Sequence, residues 1–329
     1  MTPKVVRIPI LDSLRAFAAI SVCLYHFVCT TTGFISTEWV LKLFSVGQYG
    51  VQLFFVISGF VIPWSMNNAG YKFNNLFSFS LKRIIRLEPP YLFSVATALL
   101  ILSGREIFLG APNSHITVGA LQIALHLGYL IPFFSAYHWL SPVYWTLAIE
   151  FQYYFLMALL FVPLVSNNLF LRLFIYFVLL ALSFLGGDGF VFYWLPFFLL
   201  GILLFLKTAR LIQSSEYLCV STLILVLCFY KYPLFSVLYS IVPVFCVLFA
   251  KNVEIYGVRY VGRFSYSLYL FHPLIGASFI NLLSHHFFSS FSKVVVILTG
   301  LTVTLIFSWV AFVLVENPSK KLASSIKYH

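Results

Sequence analysis

Apolar runs of membrane-crossing length, about 17 to 25 residues, recur from one end of this 329-residue chain to the other. Each is long enough to cross a hydrocarbon core of roughly 30 Å as a helix. In lipid every backbone polar group must be paired within the protein, so only helices and closed barrels span. Barrel strands would read as shorter segments of alternating polarity, and the chain has none of that pattern. Charged residues make up only 9% and hydrophobic ones 61%, against about 25% charged in a soluble domain. The expectation is an all-α polytopic membrane protein forming a single integral-membrane domain over 1–329. The longest polar stretches are a loop at about 66–87 and the tail after Glu316.

Ten spans are expected, at about 10–32, 45–66, 88–104, 142–165, 170–186, 189–206, 217–231, 233–250, 264–286 and 294–315. The run at 118–134 is a further segment, either an eleventh span or a re-entrant or interfacial one. Basic residues choose between these. With ten spans and the N-terminus inside, Lys4, Arg7, Lys72, Lys82, Arg83, Arg86, Arg172, Lys207, Arg210, Lys251, Arg259, Arg263, Lys320, Lys321 and Lys327 share the inner side. Only Lys42, Arg105, Lys231 and Lys293 fall outside. That bias follows the positive-inside rule. It favours a non-crossing 118–134 and places both termini in the cytoplasm. It also accounts for most of the net charge of +11 without a nucleic-acid partner. Cys23, Cys29, Cys219, Cys228 and Cys246 have no metal-like spacing and read as small core residues. The N-terminal apolar run lacks a small-residue cleavage site, so it reads as an uncleaved first span.

Ionisable groups at membrane depth are functional candidates by default because they are costly there. In "LDSLRAFAAISVCLYH" (11–26), Arg15 and His26 lie eleven residues apart. That is three helical turns plus roughly 20°, so both project from one face, about 16 Å apart in height. Asp12 is one turn from Arg15, within reach of an i, i+3 pair. The alternative is a polar cluster that glues helices together. In "FSLKRIIRLEPPY" (79–91), Arg83 and Arg86 are one turn apart beside Lys82. Such a cluster grips phosphate through forked hydrogen bonds, or else signals topology and binds anionic headgroups. Glu150 lies half-way along an apolar helix, as an acid, a base, an orienting group or a helix-bridging hydrogen bond. Ser265, Ser267, Tyr269 and His272 form a further polar set. His272 precedes Pro273, where a helix loses a backbone hydrogen bond. It either lines a cavity or pairs with a freed carbonyl. His126, His138, His285 and His286 carry no assignment.

With these motifs in order, the chain resembles membrane-bound acyltransferase family three over about residues 8–322. The opening stretch carries the Arg-x10-His pair of Arg15 and His26. "GQYGVQLFFVISGFVI" (47–62) resembles the Gly- and Phe-rich second span. "RIIR" (83–86) followed by "PPY", "YWTLAIEFQYY" with Trp145 and Glu150, "FSYSLYLFH" and "VENPSKK" supply the rest. The resemblance implies an O-acyltransferase without a metal, taking acyl from cytoplasmic acyl-CoA, usually acetyl-CoA. Arg83 and Arg86 would hold its phosphates and Arg15 would sit in the donor channel. His26 would be general base or transient acyl carrier, and Glu150 would orient the acceptor or His26. Asp12, Trp145, Tyr269 and His272 would support the site.

The implied acceptor is a hydroxyl of a lipid-linked or surface glycan, O-antigen of lipopolysaccharide first among them, reached from the periplasmic side of a bacterial inner membrane. Ser13 stands where the family more often has glycine. Glu88 would weaken CoA binding or pair with Arg86. No esterase-like extracytoplasmic domain follows the last span, so transfer is expected to finish within the membrane. From another class, a transporter or flippase for a lipid-linked glycan would use the same charges, but its broken-helix repeats are not visible. The sugar, the acyl group and the oligomeric state stay open.

Overall fold

The computed structural model describes residues 8–31, 33–109 and 118–328, the side chains of 105–109 excepted. Lys4, Arg7, the Arg105 side chain and the polar stretch 111–117 lie outside the described residues. Among those described, every regular element is a helix. In order they are α1 (Ile10–Tyr25), α2 (Glu38–Ser45), α3 (Gly50–Asn68), α4 (Leu76–Leu109), α5 (Ala120–Leu127), α6 (Tyr144–Leu164), α7 (Leu169–Leu182) and α8 (Val191–Thr208). There follow α9 (Ser214–Lys231), α10 (Leu234–Ala250), α11 (Tyr256–Arg263), α12 (Ser265–Phe271), α13 (Ser278–Leu283), α14 (Ser290–Ala311) and α15 (Asn317–Ser325). Eight helical segments are long and apolar enough to cross a membrane, and α7 and α10, of 14 and 17 residues, are shorter apolar helices. Together these ten coincide with the ten spans read from the sequence.

Contacts between chain ends fix how the segments alternate. Lys82 at the start of α4 reaches the carbonyl of Ile326. The Tyr71 hydroxyl, just past α3, donates to the carbonyl of Ala158 near the end of α6. Arg172 at the start of α7 clasps Glu216 at the start of α9 with two bonds of 2.8 and 2.6 Å. At the opposite end, Lys231 closing α9 donates to the carbonyl of Ser183 after α7. Residues 8 and 328 therefore sit at the same end of the bundle, which is also the end rich in Arg and Lys.

The tightest packing is between α3 and α8. A Cβ on Gly59 would strike the carbonyl of Phe198, and one on Gly201 would strike that of Val56. Small residues let two apolar helices approach this closely, which matters where lipid removes the usual hydrophobic drive. α8 is the most enclosed of the spans, packed against α3, α6, α7, α9 and α10.

Two expectations change. The polar stretch 66–87 is mostly helix rather than loop. α3 runs to Asn68 and α4 begins at Leu76, with Leu76, Phe79 and Leu87 on one face packed against the core. Charges interrupt hydropathy without breaking helicity. The tail after Glu316 likewise continues as α15.

The run at 118–134 does not cross. α5 has eight residues, a rise of only about 12 Å. It ends in a left-handed residue, Tyr129 at φ 54°, where glycine would be unstrained. The ring of Tyr129 stacks on Tyr91 at 4.9 Å and Phe151 at 5.3 Å, and its hydroxyl bonds Glu88. The segment thus dips inward, and Glu88 has a tyrosine partner.

Candidate active site

A cavity of about 540 Å³ opens at the basic end, between α1, α3, α4, α6, α12 and the α14–α15 junction. Five cationic side chains line it, Arg15, Arg83, Arg86, Arg263 and Lys320, against Asp12, Glu150 and Glu316. The excess suits a polyanionic ligand, and apolar walls that include Phe54, Phe55 and Val61 strengthen each charge by excluding water.

Arg15 lines the cavity from α1. Arg83 is buried, with its Nη2 donating to Ser65 Oγ at 2.8 Å. Its guanidinium lies over the rings of Phe79 and Tyr154 at 5.2 and 5.4 Å, while its Nε has no protein partner. Glu150 Oε1 receives the hydroxyls of Tyr154 at 2.5 Å and Ser58 at 3.1 Å. Thr146 gives its proton to the carbonyl of Val143, so the Tyr269 hydroxyl donates to Thr146 Oγ1 at 2.9 Å. That pair forms part of the inner wall.

At the mouth, Glu316 is fully buried. Its Oε2 takes the backbone N–H and hydroxyl of Ser267 at 3.0 and 2.5 Å, and its Oε1 pairs with Lys320 at 2.5 Å. Lys320 also donates to the carbonyl of Arg263. This node ties α12 to the end of α14 and sets α15 across the rim.

His26 is not among the residues lining the cavity. It stands beyond the inner wall, where its ring is 5.1 Å from that of His272, and His272 is 5.8 Å from Tyr269. The series runs from cavity wall through His272 to His26. Thr30 donates to the His26 carbonyl at 2.9 Å, so at 3.3 Å its oxygen accepts the His26 Nδ1–H. That tautomer leaves Nε2 as the basic nitrogen. Three helices widen into π turns at site residues. One begins at His26 (His26–Thr30), one begins at His272 (His272–Ala277) and one ends at Glu316 (Phe312–Glu316). Single π turns occur frequently at functional sites.

Of the residues singled out in the sequence, the cavity gathers Asp12, Arg15, Arg83, Arg86, Glu150 and Tyr269. His26 and His272 pair behind it. Trp145 instead packs among Phe55 and Trp194, with ring centroids 6.5 and 5.5 Å away. Sequence reasoning missed Ser58, Tyr154, Arg263, Glu316 and Lys320. Tyr154 is four residues from Glu150, and Lys320 four from Glu316. That spacing was available as a signal. Among the described residues no three His, Cys, Asp or Glu side chains come together as a metal would require.

Residues 8–313 match the family described as an acyltransferase domain, acyltransferase 3. The chain belongs to the acyltransferase 3 family. Among curated relatives, O-acetyltransferase OatA of Staphylococcus aureus (strain NCTC 8325 / PS 47) is 24% identical over 363 residues, covering 95% of this chain and 57% of that protein. Acyltransferase MdmB of Streptomyces mycarofaciens is 28% identical over 159 residues, covering 47% of this chain and 39% of its own length. The acyltransferase 3 chain thus spans little more than half the length of the OatA protein it matches. No solved structure matches it.

Proposed function

We propose that this chain transfers an acetyl group from acetyl-CoA to a hydroxyl of a lipid-linked or surface glycan, O-antigen being the first candidate. Family membership supports acyl transfer, and the relatives named O-acetyltransferase support acetyl as the group. The observation that carries the donor assignment is the basic cavity, lined by Arg15, Arg83, Arg86, Arg263 and Lys320. Coenzyme A brings phosphates that need several cations and a pantetheine arm that needs a narrow apolar path. Arg83 and Arg86 hold the phosphates and Arg15 neutralises charge deeper in. The thioester passes the Tyr269–Thr146 wall to reach His26. Glu150, fixed by Ser58 and Tyr154, orients the reacting groups from within the cavity. Asp12 and Trp145 support the walls.

In the transfer, His26 Nε2 takes the proton of the acceptor hydroxyl as its oxygen attacks the thioester carbonyl. The C–O bond forms, the C–S bond breaks and the departing thiolate takes a proton. Donor and acceptor enter from opposite ends, the donor from the basic end. By the positive-inside rule that end is cytoplasmic, with both termini there, in a bacterial inner membrane.

The test gives the purified protein in lipid nanodiscs labelled acetyl-CoA and candidate glycans. Wild type should move label to glycan, and His26→Ala should slow transfer by about 10²- to 10⁴-fold. Full transfer by His26→Ala removes His26 from the chemistry. A wild type that never consumes acetyl-CoA, in cells that lose a translocated glycan on deletion, points instead to a flippase.

A further inference from the structure

His272 has no part in the transfer as described, yet its environment is unusual. It is fully buried. Its Nδ1 lies 3.2 Å from the carbonyl of Leu268. A carbonyl only accepts, so Nδ1 carries the hydrogen and Nε2 is left as a bare lone pair. Nε2 has no hydrogen-bond partner. Burying such an acceptor unpaired costs about 1 to 3 kcal/mol, so its retention calls for a use.

Among the described residues, the ring beside it that can offer a proton is that of His26, with centroids 5.1 Å apart. His26 also presents Nε2 as a lone pair, because Nδ1 is engaged with Thr30. In the resting state the two lone pairs have nothing to share. Once His26 takes a proton, it gains an N–H and His272 has the acceptor for it. Both histidines open π turns, and the two turns are in contact. A Cβ on Gly276 would strike the ring of Phe27.

We infer that His272 is a positioning residue for His26. Its Nε2 holds the imidazolium N–H of His26 between proton pick-up from the acceptor hydroxyl and delivery to the departing thiolate. The proton stays on His26 throughout, so one proton enters from the hydroxyl and one leaves to sulfur. Turning the N–H toward His272 takes it out of line with the newly acylated oxygen. The charge-assisted bond stabilises the cation where water is excluded. Among other titratable neighbours, the Tyr25 ring lies 5.1 Å from that of His26. Tyr269 precedes His272 on its own helix, and its hydroxyl is committed to Thr146. Residues 294–311 of α14, which packs on this turn, include no titratable side chain. From α1, Cys23 is buried with Phe27 and Ile280.

This inference rests on the acyl-transfer reading, and two measurements separate the two. Asparagine at 272 places its amide nitrogen near Nδ1 and keeps the Leu268 bond, but offers nothing at Nε2. Glutamine reaches the Nε2 position with an acceptor oxygen and gives up the Leu268 bond. His272→Asn should lower kcat by about 10²-fold with KM for acetyl-CoA unchanged, and His272→Gln should retain activity within about 10-fold. Equal losses, or Asn outperforming Gln, overturn the inference and leave His272 as a helix-bonding residue. The second measurement needs neither substrate nor variant. In protein carrying ¹⁵N-labelled histidine, acidification should produce a scalar coupling between the Nε2 nuclei of His26 and His272. Two rings that titrate without coupling overturn the pairing even if acetyl transfer is intact. Coupling in a protein that transfers nothing retains the pair and removes the acyl-transfer reading.

Discussion

The Tyr154 hydroxyl donates to Glu150 Oε1 across 2.5 Å, one turn further along the same helix. Ser58, from α3, is the second donor to that oxygen. A carboxylate at membrane depth depends on such donors, because hydrocarbon offers none. Tyr154→Phe keeps the ring over which Arg83 lies and removes one bond. Unfolding should be easier by about 1.5 to 3 kcal/mol, the range for a hydrogen bond to a charged group. Acetyl transfer should fall about 10-fold, a tenth of what losing a catalytic acid or base costs at the low end. Ser58→Ala, which removes an interhelical bond, should cost only about 0.6 to 1.7 kcal/mol. Thermal melting in detergent with a transfer assay reads both. Equal effects of the two variants would mean that Tyr154 does not set the Glu150 carboxylate.

Arg83 and Arg86 should separate in their effects. Arg83 also bonds Ser65 and stacks on Phe79 and Tyr154, so Arg83→Ala should weaken both the fold and acetyl-CoA binding. Arg86→Ala should raise the Kd for acetyl-CoA by about 10- to 100-fold with melting unchanged, since a charge-assisted bond contributes about 1.5 to 3 kcal/mol. Lysine should not restore either site, because it lacks the planar fork. Titration calorimetry decides. An unaltered Kd for Arg86→Ala would return the cluster to topology and headgroup binding.

Much of this arrangement was legible in the sequence, for physical reasons. Span positions follow from hydropathy, since lipid leaves no other solution for the backbone. Arg15, Arg83, Arg86 and Glu150 stood out because charge at membrane depth is costly, and they converge on one cavity. What a helix-face argument does not supply is where a cavity ends. Arg15 and His26 share a face of α1, yet the Tyr269–Thr146 contact between α12 and α6 walls one from the other. The Glu316 node was hidden for a different reason. Its partner Ser267 is 49 residues away, and no spacing rule joins them. The stretch 66–87 was read as loop because its charges mask an apolar stripe at helical spacing.

The Glu316 carboxylate joins α12, α14 and α15 with no exposure to solvent. Glu316→Ala would leave the N–H and hydroxyl of Ser267 and the ammonium of Lys320 without their acceptor. Breaking a buried ion pair by removing one partner costs about 3 to 5 kcal/mol, and a loss of that size is expected in denaturant unfolding. Glu316→Gln keeps an acceptor for Ser267 and should lose less. Lys320→Ala should also destabilise, because it leaves the Glu316 carboxylate, which has no exposure to solvent, without its cation. Wild-type melting in both Glu316→Ala and Lys320→Ala would show that the node does not hold the rim together.

His126 makes the inward-dipping segment sensitive to pH. It is fully buried on α5, outside the spans. Its Nδ1–H donates to the carbonyl of Gln122 at 2.8 Å, and its Nε2 accepts the N–H of Leu140 at 3.0 Å. Burial lowers its pKa below the usual 6.5, and the Gln122 bond offsets this in part. The unfolded chain therefore binds its proton first as pH falls. The stability contributed by neutral His126 is complete above 6.5 and is lost as pH drops from there toward the folded pKa. Protonation also turns the Nε2 acceptor into a donor, which expels the Leu140 N–H. The hydrogen-exchange protection factor of the Leu140 amide should hold above pH 6.5 and fall as pH drops from there through the lowered folded pKa. In His126→Gln the side-chain oxygen accepts from Leu140 without titrating, and protection should be level across that range. A wild-type protection factor independent of pH would show that His126 does not couple this segment to protonation.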